Sequence, residues 1–162
     1  MPDCCVSAER ASTRQACPRC GAVGSEVGRE TVGAMVTLNV PASVLRRPAF
    51  RFCDTADCPV VYYAGDVAVE RAMVRVPVHA KDAGLDVPLC YCFGHTRRSI
   101  LAETRRTGRS TTSARIAADI RAGRCACDLK NPSGRCCLGD VRAYQKHAAK
   151  AAADHPEVEE RQ

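Results

Sequence analysis

A chain of 162 residues suffices for one ordinary domain or two small ones, yet it carries only seven aromatic residues, no Trp and twelve cysteines. Such a core calls for a staple other than packing, and the N-terminus MPDCCVSAERASTRQ lacks the apolar segment of a secretory signal, which favours metal over disulfides and a cytoplasmic setting. The net charge of +6 is concentrated in residues 97–124, where eight arginines face only Glu103 and Asp119, but no aromatic between Phe93 and Tyr144 is available to stack bases, so nucleic-acid binding is not expected.

In chain order, residues 1–16 read as a flexible tail and CPRCG (17–21) as a tight metal knuckle. TVGAMVTLNV (31–40) alternates partially and is expected as a strand; ASVLRR (42–47) reads as one helical turn. FRFC (50–53) and VVYYA (60–64) are β-type runs flanking the loop CDTADC, and VERAMVRVPV (69–78) reads as a further strand stopped by Pro77. Residues 81–88 have the polar, Gly- and Pro-containing character of a linker. Three helices follow: 96–108 with Thr96 as N-cap, 110–123 with Ile116, Ala117 and Ile120 as its apolar face, and 138–153 with Leu138, Val141, Tyr144 and Ala148 on one side. Residues 154–162 read as a second flexible tail. The expectation is an α+β protein: a small β-rich, zinc-ribbon-like domain at 17–80, the linker, and a helical domain at 89–153. No run approaches the roughly 18 apolar residues of a membrane span, so no membrane insertion is expected.

Cysteine spacing carries the chemistry. Cys17 and Cys20 form a C-x2-C pair, and Cys53 and Cys58 form a C-x4-C pair 32 residues further on. Each short loop can aim two thiolates at one ion, which describes a closed tetrahedral zinc site; a single rubredoxin-like iron would use the same ligands. A second group comprises Cys90 and Cys92 before a helix, and Cys125, Cys127, Cys136 and Cys137 after two helices that return the chain to its start. All-thiolate ligation from loops at helix ends suits a [2Fe–2S] cluster. The residues alone do not choose which of the last four cysteines are ligands. His95 reads as a polar neighbour, because a Rieske-type centre needs a second histidine. The Arg-rich helices would offset the negative charge of thiolate centres or dock an acidic partner. There is no Ser/His/Asp set, phosphate loop or carboxylate pair, so no enzyme activity is expected beyond a possible cupric reduction.

CPRCG, FCDTADCPVVYY, LCYCFGHT and CACDLKNPSGRCCLGDV together resemble the N-terminal domain of CopZ-type copper chaperones over residues 17–147. That domain joins a zinc-ribbon-like half to a [2Fe–2S] half similar to bacterioferritin-associated ferredoxin. The resemblance implies zinc on Cys17, Cys20, Cys53 and Cys58. It implies a cluster on Cys90, Cys92, the cysteine four residues before Asn-Pro (Cys127) and the second of the Cys-Cys pair (Cys137). Cys125 is an extra thiol relative to that pattern. Larger family members continue into a heavy-metal-associated domain that binds Cu(I), for which no room is expected here. The implied role is a redox protein of copper or heavy-metal handling whose partners are copper chaperones or P-type ATPases. A soft-metal scavenger is the alternative reading, as is a ferredoxin-like partner in iron release. For the scavenger, the adjacent thiols of Cys4 and Cys5, with the surplus Cys125 and Cys136, are candidates to capture a soft ion such as Cu(I) or Hg(II).

Overall fold

The computed structural model describes residues 15–154 except Pro48. Strands β1 (Ser25–Val27), β2 (Phe50–Phe52), β3 (Val60–Ala64) and β4 (Val67–Glu70) form an antiparallel sheet in the order β1-β2-β3-β4. Every residue of β3 is buried, so this strand is covered on both faces. A register shift between Val60 and Tyr62 in its pairing with β4 breaks strict alternation. Val61 and Tyr62 therefore enter the same core with Val32, Met35, Phe50 and Phe52, while Val60 and Tyr63 pack with Cys17, Cys53 and Cys58 on the other side. Gly24 makes this sheet possible at its edge, since a Cβ there would lie 2.1 Å from the Phe52 carbonyl oxygen.

Two expected strands differ from the structure. Residues Arg29–Met35 form helix α1 rather than a strand, burying Thr31, Val32 and Met35 as one helical stripe beneath the sheet. Its β-branched side chains suggested a strand, but a stripe at i, i+1 and i+4 gains more by packing as a helix. The run 69–78 pairs in the sheet only at Val69 and Glu70, then turns through a 3-10 segment, Arg71–Met73, and reaches α1 through a bridge between Val74 and Val36. The helical turn near residue 42 is present as α2 (Ala42–Leu45).

The second half opens with a hairpin of β5 (Pro88–Cys90) and β6 (His95–Thr96). Three helices then enclose a core of Leu89, Ile100, Ile116 and Val141: α3 (Arg97–Thr107), α4 (Thr112–Arg121), and, after the one-turn α5 (Cys127–Lys130), α6 (Leu138–Asp154). Local capping sets their ends. Thr96 and Ser99 form a reciprocal capping box at the start of α3, and Gly108 closes it in the left-handed conformation. The α+β reading holds, a four-stranded sheet followed by a mainly helical region. No helix among the described residues is long and apolar enough to cross a membrane.

The halves are tied through polar contacts, one of them buried. The Tyr62 hydroxyl donates to the Pro132 carbonyl at 2.7 Å, and His79 Nε2 lies 3.4 Å from Asp140 Oδ2. Gly134 sits against α1, where φ of 67° and a clash 2.9 Å from Thr31 Oγ1 would both oppose a side chain. Residues 81–88, expected as a linker, bury Lys81 and Val87 and are strapped by Arg97, which donates to the carbonyls of His79, Asp82 and Gly84.

Candidate metal centres

The first centre is built from two turns. Gly21 N–H donates to the Cys17 carbonyl, and Cys17 N–H to that of Ala22, folding CPRC into a loop with both thiols on one side. The second turn leaves β2 at Cys53, whose N–H bonds the Val61 carbonyl, and re-enters at β3; Cys58 N–H closes it on the Thr55 carbonyl. The Tyr63 hydroxyl pins the first turn to β3 by accepting from Gly24 N–H at 2.7 Å and donating to the Gln15 carbonyl at 2.9 Å. The sulfurs of Cys17, Cys20, Cys53 and Cys58 all lie within 4.8 Å of one another. Cys17–Cys58 and Cys20–Cys53 are 3.8 and 3.7 Å apart. Tetrahedral thiolates at about 2.3 Å from zinc are separated by about 3.8 Å, so this quartet has the dimensions of a closed zinc site.

Its electrostatics fit a cation. Cys20, the exposed member, is drawn down to about 6 by the Thr55 hydroxyl 3.5 Å away and by the Ala22 backbone. Burial pushes Cys53 up, and Cys58 up to about 12. One thiol ionises readily and its crowded neighbours resist, which is the pattern a dication reverses when all four become ligands.

The second thiol group is arranged differently. The β5–β6 hairpin turns at Gly94 and carries Cys90 at the end of β5 and Cys92 in the loop. Cys127 begins α5, and Cys137 directly precedes α6, where its carbonyl accepts from Val141 N–H. Cys92 and Cys127 have sulfurs 3.7 Å apart, and the buried thiols of Cys90 and Cys137 lie near enough to shift each other's acidity. No three of these sulfurs join a quartet like the first: among the described residues, only Cys17, Cys20, Cys53 and Cys58 converge within 4.8 Å. One backbone donor aims at these sulfurs, Ala126 N–H at 3.3 Å from Cys92 Sγ. Hydrogen bonds to sulfur are a lever on the potential of iron–sulfur clusters. Cys137 lowers Cys90 to about 7, whereas Cys137 itself is driven up by Cys90 and by burial. Burial also lifts Cys127 to about 12.

Cys125 and Cys136 are exposed, and His95 stands opposite Cys90 in the hairpin with its basicity reduced by burial. Cys4 and Cys5 lie outside the described residues. Several of the arginines expected to offset thiolate charge or dock an acidic partner are paired within the chain: Arg98 with Asp86, Arg115 with Glu103, and Arg124 with Asp119. Two residues near the centres had no sequence signal. Tyr62 holds the turn between Cys127 and Cys137, and Lys81 holds the loop between Cys53 and Cys58.

The first centre lies in a segment with known relatives. Residues 14–75 match the zf_CopZ family, described as a zinc binding domain. The chain is 31% identical over 142 residues to the copper chaperone CopZ of Archaeoglobus fulgidus, covering 83% of this chain and 66% of that protein. The X-ray structure of the A. fulgidus CopZ N-terminal domain superposes with a TM-score of 0.67 at 28% identity, covering 80% of this chain and 96% of that one. The chain is a homologue of the CopZ N-terminal domain. The CopZ likeness spans both the zinc half and the helical half, while the zinc-domain match ends before the hairpin that carries Cys90. The chain spans about two thirds of the length of the curated CopZ it matches.

Proposed function

We propose that the chain is a zinc-stapled electron-transfer protein of copper handling, with a [2Fe–2S] cluster on Cys90, Cys92, Cys127 and Cys137. The carrying observation is the proximity of those four thiols, with the Cys92 and Cys127 sulfurs 3.7 Å apart, Ala126 N–H donating to Cys92, and Cys90 and Cys137 buried in one core. When bound, such a cluster supplies one-electron chemistry: Cu(II) takes one electron to become Cu(I), and an external reductant restores the electron. The chain's own part is to hold the sulfurs, donate the Ala126 N–H to Cys92, and bury Cys90 and Cys137 away from water. Zinc on Cys17, Cys20, Cys53 and Cys58 has no redox chemistry and fixes the sheet. The CopZ likeness supports copper-trafficking partners in the cytoplasm, with a copper chaperone or P-type ATPase as the acceptor class.

Metal and acid-labile sulfide analysis on anaerobically prepared protein tests this. The expected result is about two iron, about two sulfide and about one zinc per chain, with a visible spectrum that bleaches on reduction and returns when Cu(II) is added. Protein that holds no iron or sulfide after reconstitution overturns the cluster reading. A reduced protein that Cu(II) does not reoxidise overturns the copper role alone.

The exposure of Cys125 and Cys136 favours a second reading, capture of soft ions such as Cu(I) at surplus thiols. It predicts Cu(I) binding that survives loss of the cluster and disappears in a double Cys125→Ser, Cys136→Ser variant.

A further inference from the structure

Lys81 is 7% exposed, and its ammonium donates to the carbonyls of Thr55 at 2.8 Å and Cys58 at 3.0 Å. Both carbonyls belong to the loop that presents Cys53 and Cys58. Its position is set by a turn in which Lys81 and Asp82 N–H groups bond the carbonyl of Val78, a residue buried in the sheet core. No ion pair among the described residues involves Lys81.

A buried ammonium with no carboxylate partner is costly, because two neutral carbonyls replace its hydration only in part. Four thiolates around a zinc dication leave two net negative charges that are mostly buried here, and they too require compensation. The ammonium is bonded to the same short loop that carries two of the thiols. Resting on the zinc reading of the first quartet, we infer that Lys81 is the positioning residue and counter-charge of that site. It locks the C-x4-C loop by two hydrogen bonds while its charge balances the thiolates. Lys81 lies outside residues 14–75, so the zinc site draws a supporting charge from beyond the segment that matches the zinc-domain family.

The test compares Lys81→Arg, Lys81→Gln and Lys81→Met in the full-length protein. Zinc affinity is read by competition with a chromophoric chelator, and far-UV circular dichroism checks each zinc-loaded fold. Gln keeps an N–H donor without the charge, Arg keeps the charge, and Met keeps neither. Groups that contact metal ligands typically contribute 10- to 100-fold in affinity. The expected result is a loss of roughly that size in Lys81→Gln and Lys81→Met and near-native affinity in Lys81→Arg. Should Lys81→Met not fold, the Gln and Arg variants carry the comparison. Equal affinity in all variants overturns the inference. So does equal weakening in Arg and Gln, which would mark a packing role indifferent to charge. Wild-type protein that binds no zinc sinks the zinc reading itself, and that result is distinct from either.

Discussion

The two centres use the same side chain under opposite geometric rules. In the first, two turns of an antiparallel sheet bring four sulfurs mutually within 4.8 Å, and three of the four cysteines are buried. In the second, a hairpin loop and the starts of two helices bring the Cys92 and Cys127 sulfurs to 3.7 Å, with Ala126 N–H donating to Cys92, and bury Cys90 and Cys137 in one core. A structural ion needs all its ligands equidistant and sealed from exchange. An electron-transfer centre needs its charge tuned by dipoles and a path to a partner. The partial exposure of Cys92 and Cys127, against the burial of Cys90 and Cys137, gives the second centre one sheltered and one accessible side. What separates the two is thus the architecture around the thiols rather than the number of them.

The largest effect that would break this contrast lies in the ligands. In small zinc domains, metal binding is worth about 10 kcal/mol or more and is folding energy outright. Cys53→Ser or Cys58→Ser should therefore lose zinc and unfold the sheet, seen as loss of near-UV dichroism from Tyr62 and Tyr63. Cys127→Ser or Cys137→Ser should abolish visible absorption with zinc retained, and Cys125→Ser or Cys136→Ser should leave it intact. A spectrum lost in Cys125→Ser instead would reassign the second centre.

A smaller effect tests whether the halves are independent. Tyr62→Phe leaves the buried Pro132 carbonyl without its donor, a loss of about 1–2 kcal/mol and a Tm lower by a few degrees. Because Pro132 lies between Cys127 and Cys137, the variant should also shift the cluster's visible dichroism. A melting change with an unaltered spectrum would show that the sheet does not shape the second centre.

The smallest effect is confined to the helices. The Glu103 carboxylate accepts hydrogen bonds from Ser110, Thr111 and Thr112 and pairs with Arg115 at 3.1 Å. The Ser110 hydroxyl leads these contacts in lowering Glu103 to about 2. A carboxylate whose folded value is depressed stabilises the fold above its unfolded value and loses that contribution as pH falls from about 4.5 toward 2. Glu103→Gln should cost about 1 kcal/mol at neutral pH, with the difference from wild type narrowing in acid, as read from denaturant midpoints. An unchanged difference at pH 3 would assign the effect to packing.

How far these features could be read in advance depended on how local their causes are. The C-x2-C and C-x4-C pairs announce themselves because a turn of two to four residues fixes where its two sulfurs point. Thr96 and Gly108 mark α3 for the same reason, acting within one turn. Helix α1 was misjudged because Val32 and Val36 have local strand preference, and only the sheet above them decides otherwise. The choice of Cys127 and Cys137 came from family likeness, since Cys125 and Cys136 have equivalent spacing. Lys81 was invisible: its partners are 23 and 26 residues away, and nothing in a polar, Gly-containing stretch signals a buried ammonium.

The bond between Tyr62 and Pro132 joins residues 70 apart in sequence. Closing a free loop of that length costs about 4 kcal/mol in chain entropy, several times what one hydrogen bond returns. The contact therefore cannot nucleate anything. It closes after β4, α3 and α4 have folded the intervening chain into a short span. In kinetic terms it is a latch set late, so its loss should speed opening while leaving the rate of collapse nearly untouched.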